Sequence, residues 1–346
     1  MAKGHSRNGT QEDAPPETRG AAPPEPAALA LAPGGRCEFS LTPPFSFELT
    51  THKPRYGFWA TPFEVHAPGC LWSGFWTPSW TPVGVALREA TTAGETRVRA
   101  VLHFPPQTSA AGRSEAEAHL AWMLGVGEDI TPFYQLCRGQ AVLEEAARDL
   151  YGMRDTPFAD DITALVVAIT LQMTSWKRSQ EMVAAIYRHF GVRLAFDGRE
   201  VVVVPPPQRL AHTPAEELRS SARLGYRAEF LVRAAAHIAR GFPGPRDLQR
   251  LKPEEATRLL LGIPGVGRYS ADIMTPHPSF PVDSWSRPIF ARLLGLELSD
   301  RAERDLERIR TAAKERYGSW QSYVYAYVLH DWDRLAPRLG RLPTTP

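Results

Sequence analysis

The feature of this sequence that most constrains its fold is a glycine-containing turn between two apolar, helix-like runs, "LLLGIPGVGRYSADI" at residues 259–273. Glycine accepts backbone conformations with positive φ and has no Cβ to obstruct a ligand, so Gly265 and Gly267 favour a tight turn. The turn leads into a helix N-terminus, where free backbone N–H groups bind phosphate well. A plain corner between two helices is the alternative. The predicted phosphate-binding residues are Gly265, Val266, Gly267, Arg268 and Ser270, with the Arg268 side chain and the Ser270 hydroxyl reinforcing the backbone groups.

The chain has 346 residues, a length that suits two or three domains. Its amino-acid composition changes twice along that length. Residues 1–35 are rich in Pro, Ala, Gly and charge, which predicts a disordered tail. Residues 36–110 are dense in aromatic and turn residues, and two alternating runs meet around Ala93–Gly94, which predicts an antiparallel sheet of about four to six strands. Residues 111–340 carry helical patterns, with a short extended piece over Asp197–Val204. The expected fold class is therefore α+β, an N-terminal antiparallel β domain followed by a mainly helical domain.

Charge and cysteine content limit the function classes only weakly. The formal net charge is +2, which neither requires nor excludes a polyanionic partner. Locally, residues 209–250 hold eight arginines against four acidic residues, which favours a surface that faces nucleic acid. Three cysteines are too few for a disulfide framework, and neither a signal peptide nor a membrane-spanning segment is visible. We expect a cytoplasmic, nucleoid-associated monomer that makes no contact with a membrane.

The fuller pattern "LxGIPGVGRxxA" resembles the helix-hairpin-helix motif of the helix-hairpin-helix/Gly-Pro-Asp DNA glycosylase superfamily. The resemblance places the motif at about 253–275 and implies that the hairpin holds the backbone of damaged double-stranded DNA. Such hairpins often use a monovalent cation. The carbonyls that match here are those of Leu261, Ile263 and Val266, so a Na⁺ or K⁺ site is implied, while no cofactor is required.

A lone aspartate after the hairpin, Asp283 in "SFPVDSW", continues the resemblance, because family members carry an aspartate in a "PVD" context within the segment that matches 281–295. Breaking an N-glycosidic bond builds positive charge on the sugar, as in glycoside hydrolysis. A carboxylate aimed at that centre stabilises it and can orient water, so Asp283 is the predicted catalytic residue. The structural alternative is an N-cap for the following helix. Asp272 lies mid-helix, and we expect it on the outer face of its helix without a catalytic role.

Two upstream segments also match the superfamily. In "ALVVAITLQMTSWKRSQ" the positions that insert a side chain into DNA correspond to Gln172 and Met173. An apolar wedge such as Met173 would fill the hole that a flipped base leaves in the stack, although core packing explains a methionine equally well. The segment "LGYRAEFL" at 224–231 matches "LGYRAxYL" of the family, where packing is the expected role of Tyr226.

The residue after "GVGR" separates branches of the superfamily. Members that also cleave the DNA strand carry a lysine there, whose amine forms a Schiff base with the sugar, whereas this chain has Tyr269. The iron–sulfur branch carries four C-terminal cysteines, and no cysteine follows Cys137 here. An aromatic residue at this position resembles the 3-methyladenine (alkylpurine) branch, whose substrates are cationic bases that an aromatic face attracts. Trp285 and Trp176 are candidate walls of the same pocket, or equally core residues.

The sequence therefore predicts a monofunctional DNA N-glycosylase of the DNA-3-methyladenine glycosylase II type, without strand-cleaving lyase activity, that flips and excises alkylated purines in base-excision repair. The alternatives are an oxidised-purine or mismatch glycosylase on the same scaffold, and a DNA-binding protein without catalysis. The compressed segment "MTPHPSFPVDSW", with Pro276 and Pro278, leaves the shape of the base pocket open.

Overall fold

The computed structural model describes residues 27–53, 62–90 and 95–337, and these form the expected α+β architecture. Strands dominate the N-terminal part and helices the remainder. Among the described residues, none of the helices combines the length and hydrophobicity that a bilayer-spanning segment needs. The strands are β1 (Leu29–Ala30), β2 (Ala32–Leu41), β3 (Val65–Ala67), β4 (Cys70–Trp76), β5 (Pro82–Glu89), β6 (Thr96–Phe104), β7 (Val192–Phe196) and β8 (Arg199–Val203).

The larger sheet has five antiparallel strands in the order β2-β6-β5-β4-β3, within the predicted four to six. Strands β5 and β6 pair as expected, but the turn predicted at Ala93–Gly94 lies outside the described residues. The predicted end of the tail at residue 35 is too late, because β1 and the start of β2 lie before it. The sequence LALAPGG at 29–35 continues the Pro- and Ala-rich composition of the tail, and these residues form strands because β6 and β7 supply their partners. Residues 1–26 of the predicted tail lie outside the described part.

A second, smaller sheet has the order β1-β7-β8, with β1 parallel to β7. The predicted extended piece at Asp197–Val204 is correct only for β8. Asp197 and Gly198 instead form the turn between β7 and β8, and both have positive φ. This hairpin packs on the larger sheet at Gly84, where a Cβ would lie 2.5 Å from the Phe196 ring. The predicted β domain and helical domain therefore share packing across their boundary.

Apart from α1 and α2, which pack on the larger sheet, the helices fall into two groups around two apolar cores. The helices are α1 (Phe47–Thr51), α2 (Ala110–Met123), α3 (Thr131–Cys137), α4 (Ala141–Asp149), α5 (Asp161–Thr170), α6 (Trp176–Phe190), α7 (Pro207–His212), α8 (Ala215–Ala222), α9 (Arg227–Ala239), α10 (Pro245–Arg250), α11 (Pro253–Leu261), α12 (Arg268–Met274), α13 (Arg287–Leu294), α14 (Ala302–Tyr317), α15 (Gln321–His330) and α16 (Trp332–Leu335), with a short 3-10 turn at Gly318–Trp320.

Helix α5 is the centre of the first core, since every one of its residues is buried. Helices α6 to α12, the β7–β8 hairpin and one face of the larger sheet pack around it. The opposite face of that sheet forms a smaller core with α2. The second helical core joins α3 and α4 to α13–α16. The chain crosses from the first helical core to the second between α12 and α13, and the segment that makes this crossing carries Asp283.

Candidate active site

Helices α11 and α12 are joined by the predicted tight hairpin, and Gly265 is the residue whose backbone conformation requires a glycine. Gly265 has φ +81°, and a Cβ there would lie 2.8 Å from the Phe230 side chain on α9. Both facts require glycine, because other residues rarely adopt positive φ and would overlap Phe230. Gly267 differs from the prediction, since its φ of −92° is ordinary and open space surrounds its Cβ position. The turn therefore depends on one glycine, and the second leaves the approach to the helix unobstructed.

The first backbone N–H groups of α12 find no hydrogen-bond acceptor within the helix itself. The N–H of Ala271 donates to the Gly267 carbonyl at 2.9 Å, so the preceding N–H groups of the first turn have no intrahelical acceptor. The N–H of Val266 is already used, since it donates to the Ile263 carbonyl at 3.0 Å. Val266 therefore cannot bind phosphate through its N–H as predicted, whereas the turn after Gly267 retains that capacity.

Two side chains predicted to reinforce phosphate binding are used differently. Ser270 is only 2% exposed, and its hydroxyl accepts a hydrogen bond from Gln172. The prediction of a phosphate contact from this hydroxyl is therefore wrong, because the hydroxyl packs under the hairpin. Arg268 is half exposed and its Nε lies 2.9 Å from the Asp272 carboxylate, which leaves the outer edge of the guanidinium accessible to an anion.

The carbonyls named as a cation site lie where α11 ends. The last carbonyls of a helix lack intrahelical donors, which applies to Leu261. The Ile263 oxygen accepts one hydrogen bond, from Val266, and keeps a second lone pair. Backbone carbonyl oxygens are ligands that hard cations prefer, so the donor set fits a monovalent cation. The clusters of His, Cys, Asp and Glu that hold transition metals do not occur among the described residues.

The turn between α5 and α6 presents Met173 to solvent beside the hairpin. Met173 is 91% exposed and has φ +46°, a conformation that methionine rarely adopts. Core packing, the alternative interpretation of this residue, is therefore excluded. Gln172 points the other way, because its amide donates to the Gly265 carbonyl at 2.9 Å and to the Ser270 hydroxyl at 3.1 Å. The predicted wedge thus reduces to Met173, and Gln172 holds the turn against the hairpin.

The side chain of Arg227, at the start of α9, also holds the same turn in place. Its guanidinium donates to the Gln172 carbonyl, with Nε at 3.1 Å, and to the Met173 carbonyl at 3.3 Å. The side chain is largely buried, so it is a structural clamp and not a phosphate contact. Within the arginine-rich stretch, Arg219 and Arg250 are also paired with acids, which lowers the positive charge available to DNA.

A cleft of about 750 Å³ lies between the two helical cores and the end of the sheet domain. It brings together the predicted site residues Asp283, Tyr269 and Trp285 with Trp176, which lies more than 90 positions before them in the sequence. The proline-rich segment at 275–281 forms part of its wall. The cleft is therefore continuous from the start of α6, past the hairpin helix α12, to the segment before α13.

Asp283 is fixed in the cleft by the turn that leads to α13. Its Oδ1 accepts from the Ser286 backbone N–H at 2.8 Å and from the Ser286 hydroxyl at 2.6 Å. The Asp283 N–H and the Ser286 Oγ complete a reciprocal pair at 3.0 Å. Asp283 therefore does have the capping geometry that was the structural alternative to a catalytic role. Its Oδ2 makes no hydrogen bond within the described part of the chain, so the capping role leaves one carboxylate oxygen for chemistry.

Asp272 was expected on the outer face of α12, and this prediction is wrong. The residue is 6% exposed, lines the cleft, and pairs with Arg268 through Oδ1 and with Arg310 through Oδ2, each at 2.9 Å. Burial raises the pKa of Asp272, while Arg268 and Arg310 act in the opposite direction. Arg310 also donates to the Val282 carbonyl at 3.1 Å, and so ties α12 to the residue before Asp283. The i,i+4 spacing from Arg268 to Asp272 was the available sequence signal.

The polar far end of the cleft was not predicted at all. Lys53, Glu128, Asp155, Thr156 and Tyr323 all line it. The Lys53 ammonium donates to the Thr156 hydroxyl at 2.7 Å, and the Tyr323 hydroxyl donates to Glu128 at 2.9 Å. No sequence motif marks these residues, because they come from the end of α1, from two loops and from α15.

The chain shares its fold with proteins of known function. No family model matches it. It is 23% identical to the DNA-3-methyladenine glycosylase of Bacillus subtilis (strain 168) over 226 residues, which is 62% of this chain and 72% of that protein. The 3-methyladenine DNA glycosylase of Archaeoglobus fulgidus superposes with a TM-score of 0.67 and 20% identity, covering 86% of this chain and 98% of that one.

Two further solved structures resemble the chain over most of its length. MBOgg1 in complex with a low-affinity DNA ligand gives a TM-score of 0.65 at 17% identity, covering 88% of this chain and 98% of that one. The Clostridium acetobutylicum 8-oxoguanine glycosylase/lyase bound to double-stranded DNA gives 0.57 at 15% identity, covering 80% and 99%. These likenesses confirm the fold class that the sequence predicts, and the chain resembles DNA glycosylases in both sequence and structure.

Proposed function

We propose that this chain is a monofunctional DNA N-glycosylase that flips and excises alkylated purines from double-stranded DNA. The observation that carries the proposal is Asp283, whose Oδ1 is held by Ser286 while Oδ2 remains unbonded among the described residues, in the wall of a cleft beside the hairpin. The chain's similarity to DNA glycosylases supports the enzyme class.

The chemistry assigned to Asp283 is electrostatic. As the bond between base and sugar lengthens, positive charge develops on the sugar carbon, and a preorganised carboxylate stabilises that charge without reorganising. The two bonds from Ser286 keep the carboxylate in one orientation, so the stabilisation needs no side-chain ordering during the reaction. The same carboxylate can orient the attacking water on its free oxygen.

The cleft lining favours a cationic base. Among the described residues that line the cleft, the acids are Glu128, Asp155, Asp272 and Asp283, and Lys53 is the only lysine or arginine. Asp272 is paired with Arg268 and Arg310, and Glu128 with Arg154, so the remaining excess is that of Asp155 and Asp283 over Lys53. An acid-rich cleft attracts positive charge, and Tyr269 together with Trp176 and Trp285 offers aromatic faces to it. A cationic purine is also a good leaving group, so the bond breaks without a strong general acid.

The exposed features around the cleft suit a bent, lesion-bearing duplex. The N–H groups after Gly267 and the carbonyls of Leu261, Ile263 and Val266, with a Na⁺ or K⁺ ion between them and a phosphate, would hold the backbone. The exposed Met173 would occupy the space that the flipped base leaves. The side-chain amide of Gln172 contacts the Gly265 carbonyl, so the exposed Met173 and the backbone-binding hairpin belong to one rigid surface.

A second candidate is an oxidised-purine glycosylase, which the likeness to MBOgg1 and to the 8-oxoguanine glycosylase/lyase favours. The position after "GVGR" holds Tyr269, and a phenol forms no Schiff base, so the proposed enzyme hydrolyses the bond without cleaving the strand.

Product analysis on duplexes that carry single lesions tests these proposals. We expect excision of 3-methyladenine-type lesions in preference to 8-oxoguanine, with strand breaks only after alkaline treatment. Asp283→Asn is the decisive variant, because an amide oxygen can still accept both Ser286 bonds while the charge is lost. Its rate should fall by at least ~100-fold. Unchanged activity of Asp283→Asn would refute the mechanism, and salt-sensitive DNA binding without any abasic product would identify a binding protein instead.

A further inference from the structure

The chemistry proposed for Asp283 makes no use of the charged group at the far end of the cleft. We call Lys53, Glu128 and Asp155, with the Thr156 and Tyr323 hydroxyls that contact them, the polar end of the cleft. Lys53 is 9% exposed, and the other two charged residues are half-buried. Burying charged groups is costly unless they are paired, so such groups in a cleft are candidates for ligand binding.

The hydrogen bonds at the polar end leave capacity toward the cleft. The ammonium of Lys53 has three donors, of which Thr156 accepts one at 2.7 Å. Glu128 is engaged by the Tyr323 hydroxyl at 2.9 Å and by Arg154 at 3.5 Å, so it is the most fully satisfied of the three. Asp155 receives a hydrogen bond from Ser322, whereas an ionised carboxylate accepts about four.

The Lys53 ammonium donates to the hydroxyl of Thr156, the residue next to Asp155, and both charged residues line the cleft. A donor and an acceptor therefore lie near each other in its wall. Burial lowers the pKa of Lys53 to about 8 and raises that of Asp155 to about 6, so both carry charge near neutral pH. The wall thus presents one strong donor beside a carboxylate with free lone pairs. Glu64 and Glu128 are the other charged groups that act on Lys53, and Arg154 acts in turn on Glu128.

That arrangement complements the Watson–Crick edge of guanine better than that of adenine. Guanine presents the O6 acceptor followed by two donors, N1–H and the N2 amino group, and a carboxylate can accept from both donors while an ammonium donates to O6. Adenine presents the N6 amino donor where guanine has O6, and the N1 acceptor where guanine has N1–H. In the same orientation, therefore, neither hydrogen bond to the pair can form. Enzymes that flip a base read it through hydrogen bonds to this edge.

We propose that Lys53 and Asp155 are a specificity-determining pair that selects flipped purines with a guanine-type edge. The inference rests on the proposed glycosylase function and names its preferred substrate, an N7-alkylated guanine. Such a base carries the positive charge that the acid-rich cleft favours. The same charge makes N1–H a stronger donor to Asp155.

Paired variants test the assignment on 7-methylguanine and 3-methyladenine duplexes. Lys53→Met removes the donor, and Asp155→Asn replaces two acceptor oxygens with one acceptor and one donor, which suits adenine. We expect kcat/KM for 7-methylguanine to fall at least tenfold in each, with 3-methyladenine within about threefold, since a good bidentate contact to a base is worth roughly 1–3 kcal/mol. Lys314→Met and Asp300→Asn, both exposed and outside the cleft lining, are matched controls.

Inhibition of the wild-type enzyme by free bases is a second measurement, and it does not depend on whether the variants fold. Free 7-methylguanine should inhibit at least tenfold more strongly than free 3-methyladenine. Equal inhibition by the two bases, or an equal loss on both lesions in Lys53→Met and Asp155→Asn, would overturn the specificity role while the glycosylase function stands. Failure of the wild type to excise any lesion would overturn the proposed function and this inference together.

Discussion

The side-chain amide of Gln172 donates a hydrogen bond to the carbonyl of Gly265 at 2.9 Å, which joins the turn carrying the exposed Met173 to the hairpin 93 residues later. Because the same amide also contacts Ser270 and the Gln172 carbonyl is held by Arg227, the turn has little freedom to move relative to the hairpin. A wedge acts only if it is rigid, and this relationship supplies the rigidity for the proposed insertion into DNA.

Replacing Met173 with alanine should separate wedging from folding. The side chain is 91% exposed, so the free energy of unfolding should change by less than about 0.5 kcal/mol. Excision from duplex DNA should fall roughly tenfold, because the space left by the flipped base is no longer filled. Excision from single-stranded DNA, which has no such space to fill, is the control. An equal loss on both substrates would rule out the wedge role.

Gly265→Ala should destabilise the protein by about 1–3 kcal/mol and abolish tight DNA binding. The new Cβ would meet Phe230 at a backbone φ of +81°, so the turn must distort. Gly267→Ala is the matched comparison, because its φ of −92° and open surroundings accommodate a Cβ in the free protein. Urea unfolding of both variants measures the contrast. Similar losses of stability in the two variants would contradict the expected difference between Gly265 and Gly267.

Tyr269→Phe and Tyr269→Leu should distinguish an aromatic face from a phenol. If the ring attracts a cationic base, phenylalanine retains most activity, whereas leucine loses about 0.5–2 kcal/mol of binding, a factor of roughly 2–30 in kcat/KM. Single-turnover rates on a cationic lesion and on a neutral one such as hypoxanthine give the measurement. A loss in Tyr269→Leu that is equal for cationic and neutral bases would point to packing alone.

The stability of the fold should depend on the ionisation of Asp160, the N-cap of α5. Burial raises the pKa of Asp160 from 3.8 to about 6, although the Thr163 N–H and hydroxyl oppose this. Between those values the folded chain holds the proton more tightly than the unfolded chain, so this group's contribution to the free energy of unfolding decreases as pH rises through the window.

Asp160→Asn removes that contribution, together with the effect that the Asp160 charge has on the pKa of Asp161, while its side-chain oxygen can still cap Thr163. Relative to wild type, the variant should gain on the order of 2 kcal/mol between pH 4 and pH 7. The pKa of His119, which burial lowers to about 4, gives both proteins an opposite slope, and it cancels in the comparison at each pH. Urea unfolding at pH 4.5, 5.5 and 7 provides the test, and a difference independent of pH would contradict it.

Local sequence signals predicted the hairpin and the segment of Asp283 because both depend on short-range chemistry. A glycine at positive φ, a following helix N-terminus and a capping aspartate are each determined within a few residues. The signals failed where a side chain's partner lies far along the chain. Asp272 is buried because Arg310, 38 residues later, neutralises it, and no local pattern predicts that pairing.

By itself, the sequence determined the α+β class, the helix-hairpin-helix at about 253–275, and the aspartate that would carry the bond-breaking step. Only the tertiary structure decided which of these residues face one cleft, that Ser270 and Gln172 point inward, and that Lys53 and Asp155 line the same cleft as Asp283. The physical reason is that backbone conformation is set by neighbours in sequence, whereas burial, ion pairing and the shape of a cleft arise only when the two helical cores and the sheet pack together.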